Sequence, residues 1–578
     1  MAKGKLDRLG IARALREMAR LLDLTGEAQF KVRAYDRAAH ALERLSANLG
    51  RLVEEERLTE LHGIGPRLAA VVSELYLTGS SKALEKLRRE YPRGAAELSR
   101  IPELGLRRIK MLSAAGIETM SQLKDACEQG RLRAVKGIGE RTEQRILDRI
   151  RELEGPAPIL LPDATEAAEE LLAYLRHAPG TVATGVAGGL RRCTETVDKL
   201  VLVLASTKPA AAANHVRSAP FLSDGEREGL VVRATLPDGL PVEVRVVAPR
   251  TYPTQMLFAT GAPAHVERLQ RIAEKRHLKL EPSSLLRSPR ATRLPVESEA
   301  DVYRSLALPM IPPEVREDEG EIEAAVLGTL PDDLVDRDDI RGMVHCHTVY
   351  SDGRHTVEQM AKAADALGME YLTITDHSPA ASYAGGLSVD RLKAQWEEIA
   401  RVQESVSVRL LRGSEVDILA DGALDYPDSI LEQLNIVIAS VHQRFRLDAA
   451  QMTRRLTRAM AHPCFKIWGH ALGRLVLSRP PIDCRVEEVL DVVATSRAAV
   501  EINGDPRRLD MAPRWLRAAR ERGIRFVIST DAHAVAEYRN LQYGVAMARR
   551  GWVRRGEVLN VLGAQVFARA VSPAGAQT

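Results

Sequence analysis

Residues 342–353 read GMVHCHTVYSDG, a short apolar run that ends in His345 and His347 before a turn carrying Asp352. On a strand, residues two apart share a face, so the two imidazoles can chelate one cation. STDAH at 529–533 repeats the device with Asp531 and His533. Between these two places, further apolar runs or their loops end in His377, Glu415, His442 and His470. A lone histidine at a strand end ordinarily belongs to the core or the surface. Nine His, Asp and Glu residues that each close a predicted strand or its loop read as a metal cluster, and nine donors exceed one coordination sphere, so two or three divalent ions are expected. Imidazole mixed with carboxylate suits Mn²⁺, Zn²⁺ or Fe²⁺. Clustered divalent ions serve phosphoester hydrolysis by binding phosphoryl oxygens and acidifying a water. His355, His462 and Asp376 stand close in sequence and are expected to support the site or the fold.

Outward from this stretch, short apolar strands at 342–347, 371–375, 435–440, 465–469, 499–502 and 525–530 alternate with helices over about 240 residues. That is the pattern of a β/α barrel, whose chemistry sits at the C-terminal ends of its strands. Upstream, the acidic, irregular stretch 317–339 predicts a linker, and 254–320 shows mainly helical periodicity. Residues 157–253 mix a helix at 165–177 with β-type runs at 180–187, 200–205, 229–235 and 242–247. Residues 8–150 read as helix throughout, with Ile11, Leu15, Met18 and Leu22 at helical spacing. The 578 residues make several domains, because single cores stop growing well below that length.

With 45% hydrophobic and 28% charged residues the composition is that of a globular protein, and no apolar run reaches the ~18 residues of a membrane helix. The charged start lacks the apolar core of an export signal, and five scattered cysteines fit a reduced compartment, so a cytoplasmic monomer with no membrane partner is expected. The net charge of +4 hides an uneven distribution. Residues 1–150 hold 29 Lys and Arg against 21 Asp and Glu, and only this front part calls for a polyanion. Histidine divides the other way, with eight of 14 after residue 340.

Within the basic part, LHGIGPR at 61–67 and VKGIGER at 135–141 share one design. A helix ends at a Gly-apolar-Gly turn, Gly63 to Gly65 or Gly137 to Gly139, and the next begins with Arg67 or Arg141 close behind. Backbone N–H groups then face outward unobstructed, which suits a DNA phosphate. IPELGLRR at 101–108 is a weakened third copy that keeps Gly105 but has Glu103 where the first glycine would stand.

HCHTVYSDG, ITDHS, GSEVDI, ASVHQ, GHALGR and STDAH together resemble the polymerase-and-histidinol-phosphatase (PHP) domain, a distorted β/α barrel with a trinuclear metal site. The resemblance implies that His345, His347, Glu415 and Asp531 hold one ion. Glu415 with His442 and His470 would hold a second, and Asp352, His377 and His533 a third. Met343 departs from the pattern, since the family usually has an acidic residue there that orients a ligand.

Nearly the whole chain resembles the bacterial family X DNA polymerases. The segment 29–35 (QFKVRAY) with its Ala-rich continuation is similar to their small N-terminal domain, and AGGLRR followed by ETV at 187–197 to their triphosphate motif. The resemblance implies a multidomain chain with an all-α helix-hairpin-helix N-terminal region (1–85 and a fingers-like 86–155). An α+β nucleotidyltransferase palm (156–253), a thumb (254–320), a linker (321–338) and a C-terminal PHP-type barrel (339–578) follow. Gly188, Gly189, Arg191 and Arg192 then fall in the nucleotide-binding motif. The family's Gly-Ser-x-Arg-Arg and Glu-Thr-Val-Gly-Asp-x-Asp have become Gly188-Gly189-Leu190-Arg191-Arg192 and Glu195-Thr196-Val197-Asp198-Lys199-Leu200-Val201. Lys199 and Val201 occupy the places of the two metal-holding aspartates. Glu243 stands for the third carboxylate, and Asp198 is one residue out of register, which on a strand is the opposite face. Mg²⁺ or Mn²⁺ is not expected at this palm. The family's Schiff-base lysine falls at Val71, so no lyase activity is expected.

The expected function is therefore DNA repair by a metal-dependent 3′→5′ exonuclease, with abasic-site endonuclease action as a second specificity and a weak or silent polymerase. Its partner would be gapped, nicked or 3′-recessed DNA, with dNTP as a further candidate. The alternatives are an active Mn²⁺-dependent gap-filling polymerase that uses Glu243 and Asp198, and a non-catalytic scaffold that binds DNA ends.

Overall fold

Among the described residues, every element of the first unit, Met1–Gly155, is helical. Arg8–Leu24 and Gln29–Glu43 meet through Ile11, Leu15, Met18, Ala38, Ala39 and Leu42, apolar positions that recur every three or four residues. A second cluster around Leu98, Ile101, Leu112, Leu123, Ile146 and Ile150 gathers the helices between 95 and 154. The computed structural model describes residues 6, 8–24, 29–43, 49–61, 64–92, 94–101, 104–135, 137–154, 158–236 and 239–574. No helix among them is long and apolar enough to cross a membrane.

The second unit, Pro156–Thr578, opens with a five-stranded sheet of β1 (Thr181–Ala187), β2 (Leu200–Ser206), β3 (Ser223–Glu228), β4 (Val231–Thr235) and β5 (Pro241–Val247). The spatial order is β1-β2-β5-β4-β3, with only β2 and β5 parallel. Leu200, Leu202, Leu204, Val242 and Val244 pack on one face with Leu171 and Leu175 of the helix Leu161–Leu175. Val201 and Val203 on the other face pack with Met256 and Ala259 of the helix Tyr252–Thr260. The edge strand β3, SDGERE, has no apolar alternation and is legible only in the structure.

Helices Pro263–Lys275 and Glu299–Ser305 and an antiparallel meander of three short strands form the next subdomain around Leu269, Tyr303 and Ile311. The stretch 321–338, expected as a linker, is not free chain: it contains the helix Glu321–Leu327. Ile322 and Ala325 join the same cluster, and buried Glu321 Oε1 lies 2.5 Å from His265 Nδ1. An acidic composition suggested solvation, but its apolar residues recur on one face and bury there.

Seven parallel strands follow in sequence order: β6 (Gly342–Cys346), β7 (Tyr371–Ile374), β8 (Arg409–Asp417), β9 (Ile436–Ser440), β10 (Lys466–Trp468), β11 (Ala498–Asn503) and β12 (Phe526–Ser529). The sheet nearly closes on itself, since Ala532 N–H donates to His345 O at 3.0 Å and His347 N–H to Ala532 O at 2.8 Å. Six of the seven strands match the apolar runs, whereas β8 interrupts its run with Arg412, Gly413 and Ser414. Inward residues alternate with outward ones along each strand. Val344, Tyr371, Leu411, Ile467, Ala499 and Val527 fill the barrel floor with Phe567 of the helix Ala564–Ala570. One or two alternations further along the same strands, the inward residues become His, Asp and Glu.

Candidate metal centre

Glu415 continues the inward row of Leu411 on β8, is 1% exposed, and faces five imidazoles. Its Oε2 lies 3.4 Å from His345 Nε2, 3.6 Å from His347 Nε2 and 2.9 Å from His377 Nδ1. Its Oε1 lies 3.1 Å from His442 Nε2 and 2.7 Å from His470 Nε2. Asp531 Oδ1 approaches His347 Nε2 at 3.4 Å and His345 Nε2 at 3.6 Å. Asp352 Oδ1 approaches His533 Nε2 at 3.4 Å, His377 Nε2 at 3.5 Å and His347 Nδ1 at 3.8 Å. All nine residues named from the sequence therefore converge at one end of the barrel.

The backbone is bent to make this possible. His345, Asp531 and His470 have φ of 63°, 48° and 22°, the left-handed region that residues with a Cβ seldom enter. The pairing of β6 with β7 shifts between Met343 and Cys346, and an irregularity of this kind re-aims side chains. His345 and His347 are both turned inward at this shift.

Donor atoms of His347, Asp352, His377 and His533 lie within 4.8 Å of one another, as do those of His345, His347 and Asp531, and of His377, Glu415 and His442. Among the described residues, His345 Nε2, both ring nitrogens of His347, His377 Nδ1 and Glu415 Oε2 are buried without a hydrogen-bond partner. Orphaned buried donors and acceptors are costly, and divalent cations satisfy this set, so the residues fit the group. Burial drives the His347 imidazole down to about 3, with His533 adding to the effect, so it stands neutral as a ligand must. Burial also works to raise the Glu415 carboxyl, but His442, His377, His345 and His470 outweigh it and hold it well below the carboxylate range.

Three polar residues behind the centre escaped the sequence. Glu501 Oε1 lies 2.5 Å from His345 Nδ1, and its Oε2 accepts the N–H of His470. Asp417 is bonded to His442 Nδ1. His345 thus has an orienting carboxylate even though Met343 supplies none. Arg508 Nε lies 3.0 Å from Asp531 Oδ2. Alternation was the available signal for the carboxylates: Glu501 shares its row with Ala499, and Asp417 with Glu415. Asp376 accepts from Thr348 N–H at 2.8 Å and Ser351 Oγ at 2.5 Å, and so fixes the turn that carries Asp352. His462 lies apart, bonded to Asp428 and Cys464, and His355 Nδ1 accepts from Val535 N–H at 3.4 Å.

On the second face of the palm sheet, Lys199 Nζ is 3.1 Å from Glu243 Oε2, Arg245 Nε 2.8 Å from Oε1, and Arg233 Nε 3.6 Å from Oε2. Burial works to raise the Glu243 carboxyl, but Arg245 and Lys199 outweigh it and hold it below its ordinary range. Val201 pairs in register with Glu243 and is buried in the apolar cluster with Met256 and Ala259. Asp198 is exposed and precedes β2. Gly188 and Gly189 open the short helix that carries the two arginines. Arg191 and Arg192, expected at a nucleotide phosphate, are each ion-paired to a carboxylate here. Arg191 pairs with Glu299 at 2.5 Å and Arg192 with Glu317 at 3.0 Å, and both bond Thr260. Those carboxylates lie more than a hundred residues away in the chain, beyond any local motif. Arg474, four residues past His470, donates to Glu195 of the palm motif at 2.8 Å.

In the first unit, the hairpins share one turn. Ile64 N–H donates to Leu61 O at 3.0 Å, Leu104 N–H to Ile101 O at 2.9 Å and Ile138 N–H to Val135 O at 3.1 Å, each apolar side chain being buried. Helices start directly after Gly65, Gly105 and Gly139, and a Cβ at any of these or at Gly137 would meet nothing within 4 Å. Arg67 and Arg141 are exposed in the first turns. Gly63 lies outside the described residues.

Family models match four segments. Residues 8–81 match a helix-hairpin-helix domain, 95–152 a SAM-like helix-hairpin-helix tandem, 255–317 the DNA polymerase beta thumb, and 344–505 the PHP domain. The DNA polymerase/3′-5′ exonuclease PolX of Bacillus subtilis (strain 168) is 32% identical over 560 residues, which cover 95% of this chain and 96% of that protein. A probable phosphatase of Thermoanaerobacter sp. (strain X514) is 28% identical over 228 residues, 37% of this chain and 88% of its own. One from Caldanaerobacter subterraneus is 31% identical over 203 residues, 33% of this chain and 74% of its own.

Proposed function

The chain belongs to the family X DNA polymerases that carry a PHP domain, and from that membership we propose that it shortens DNA at 3′ ends through the barrel while its palm makes no DNA. The observation that carries this reading is the contrast between two sites. Nine residues with donor atoms converge in the barrel, whereas Glu243, which stands for the third palm carboxylate, is ion-paired to Lys199 and Arg245. The substrate would be gapped, nicked or 3′-recessed DNA, gripped through its backbone by the hairpins around Gly65, Gly105 and Gly137–Gly139.

His345, His347, Asp352, His377, Glu415, His442, His470, Asp531 and His533 would hold two or three divalent ions, of Mn²⁺ or Zn²⁺ type. When bound, such ions supply Lewis acidity at a phosphodiester and an acidified water for in-line attack. The protein's own part is preorganisation. Glu501 and Asp417 fix the tautomers of His345 and His442, so that their Nε2 atoms face the centre. Arg508 beside Asp531 adds a permanent positive charge next to the centre, which favours an anionic phosphodiester there. Tyr383 stands 66% exposed with its ring 6.3 Å from those of His377 and His442, and offers a stacking face to a terminal base.

The test is to incubate gapped and 3′-recessed DNA with Mn²⁺, with and without dNTPs, using wild type, His345→Ala/His347→Ala and Glu243→Ala. Shortening that disappears only in the histidine variant is expected. Extension that disappears with Glu243→Ala would establish a gap-filling polymerase instead, and DNA that is bound but never altered would establish a scaffold.

A further inference from the structure

Two arginines of the barrel clasp the palm turn 188–197. Arg550 Nη1 donates to Arg192 O at 2.8 Å, and Arg474 Nη2 to Glu195 Oε1 at 2.8 Å. Arg474 also reaches back into the barrel. Its Nε donates to Arg508 O at 3.0 Å and its Nη2 to Leu509 O, so one guanidinium ties a palm carboxylate to two successive carbonyls. Two further bonds continue the seam on either side. Leu472 N–H donates to Asp510 Oδ2 at 2.9 Å and Val476 N–H to Arg507 O at 2.6 Å. The segment 470–476, which begins at His470, is therefore sewn to the segment 507–510, which carries Arg508.

Arg508 has two carboxylates within reach. Its Nε lies 3.0 Å from Asp531 Oδ2 and 4.0 Å from Asp505 Oδ2. Among the described residues this nitrogen finds no aligned hydrogen-bond acceptor, so the ion pairs alone do not fix its direction. The place of its backbone decides which carboxylate the guanidinium favours, and that backbone is what Arg474 grips. Arg474 is itself 9% exposed and takes its counter-charge from Glu195. A cation so nearly buried is costly without a partner. With Glu195 neutralised, Arg474 is drawn toward water or toward Asp510, whose Oδ1 is buried without a hydrogen-bond partner, and its grip on the two carbonyls loosens.

We propose that Glu195 is a positioning residue for the barrel's reaction: through Arg474 it sets the segment 507–510 and so keeps Arg508 on Asp531 at the metal centre. The inference rests on the reading that the barrel hydrolyses phosphodiesters. It gives the palm turn a task that needs neither a nucleotide nor a metal in the palm.

The test uses the full chain with Mn²⁺ and thymidine 5′-(p-nitrophenyl phosphate), a small diester that needs no grip on DNA. Glu195→Gln keeps the shape of the side chain and removes its charge. It is expected to lower kcat about tenfold while KM for the diester changes less than about twofold, because the positive charge stays and only its aim is lost. Glu195→Asp should recover part of the rate. Arg508→Gln should cost at least as much as Glu195→Gln, and Glu195→Gln/Arg508→Gln should be no slower than Arg508→Gln alone, since the first residue acts through the second. Deuterium exchange of the metal-free protein in EDTA reads the same hold without activity: amides of 505–511 should exchange about fivefold faster in Glu195→Gln, while those of 409–417 stay unchanged. The proposal is overturned if Glu195→Gln keeps the wild-type kcat, if the two losses multiply in the double variant, or if exchange at 505–511 does not change. Wild type that cleaves neither this diester nor DNA would overturn the proposed function and this inference with it, whereas a wild-type rate in Glu195→Gln overturns this inference alone.

Discussion

Lys199 Nζ stands 3.1 Å from Glu243 Oε2, with Arg245 Nε 2.8 Å from the other oxygen. Both oxygens of Glu243 are therefore taken by cations, and a divalent ion must displace them to bind there. Primer extension by wild type with Mg²⁺ or Mn²⁺ is expected to give no dNTP incorporation. Reintroducing a carboxylate should be costly, because Val201 is buried against Met256 and Ala259. Val201→Asp is expected to lose about 2–4 kcal/mol of stability, seen as a lower melting temperature in differential scanning calorimetry. A variant as stable as wild type would contradict this account of the palm.

Glu501 acts on His345 and His470 together, through the ring nitrogen of one and the backbone N–H of the other. Glu501→Ala should leave the ligands present but loosen their aim, which weakens metal binding about 10- to 100-fold. Metal titration of phosphodiesterase activity should show the midpoint moved to higher concentration, with the rate recovered at saturating metal. An unmoved midpoint would show that Glu501 has no orienting part.

The barrel was legible because its strands are apolar runs, and the cluster at its end because His, Asp and Glu rarely close such runs by chance. That His345, Asp531 and the other seven converge could be read from type and position alone. What escaped depended on distance. Glu501 reads as a lone charge in AVEIN, and nothing local says that it lies behind His345 across the barrel. The ion pairs of Arg191 and Arg192 were equally hidden, because Glu299 and Glu317 are remote in sequence. Strand β8 was hidden by Arg412 and Ser414, which are tolerated there because they alternate to the outward face while Leu411, Gly413 and Glu415 point in.

Asp510 is fully buried, and burial pushes its carboxyl up to about 6 against the opposing charge of Arg474. A folded-state value above the unfolded one means that ionisation costs stability. The cost is absent at low pH, grows as pH rises from about 4 through 6, and is complete at neutral pH. Asp510→Asn keeps an acceptor for the N–H of Leu472 and removes the charge. It should be more stable than wild type at pH 8, by on the order of 3 kcal/mol and with a higher melting temperature, and the difference should vanish toward pH 4. A difference that does not change with pH would refute the assignment.

The hairpins can be separated from the fold they sit in. Gly65 and Gly139 each stand at the start of a helix, exposed, with space where a Cβ would go, so Gly65→Ala and Gly139→Ala should leave melting temperature within about 1 °C. The added methyl stands where a phosphate must approach the backbone N–H groups, so each should weaken binding to closed duplex several-fold. Arg141→Ala differs, since it removes a charge and not the space. It should lower the slope of log affinity against log salt by about one, while Gly139→Ala leaves that slope nearly unchanged. Anisotropy titrations between 50 and 200 mM salt, the range in which phosphate contacts change affinity most visibly, read both quantities. Equal slopes for Arg141→Ala and wild type would mean that this hairpin does not face DNA.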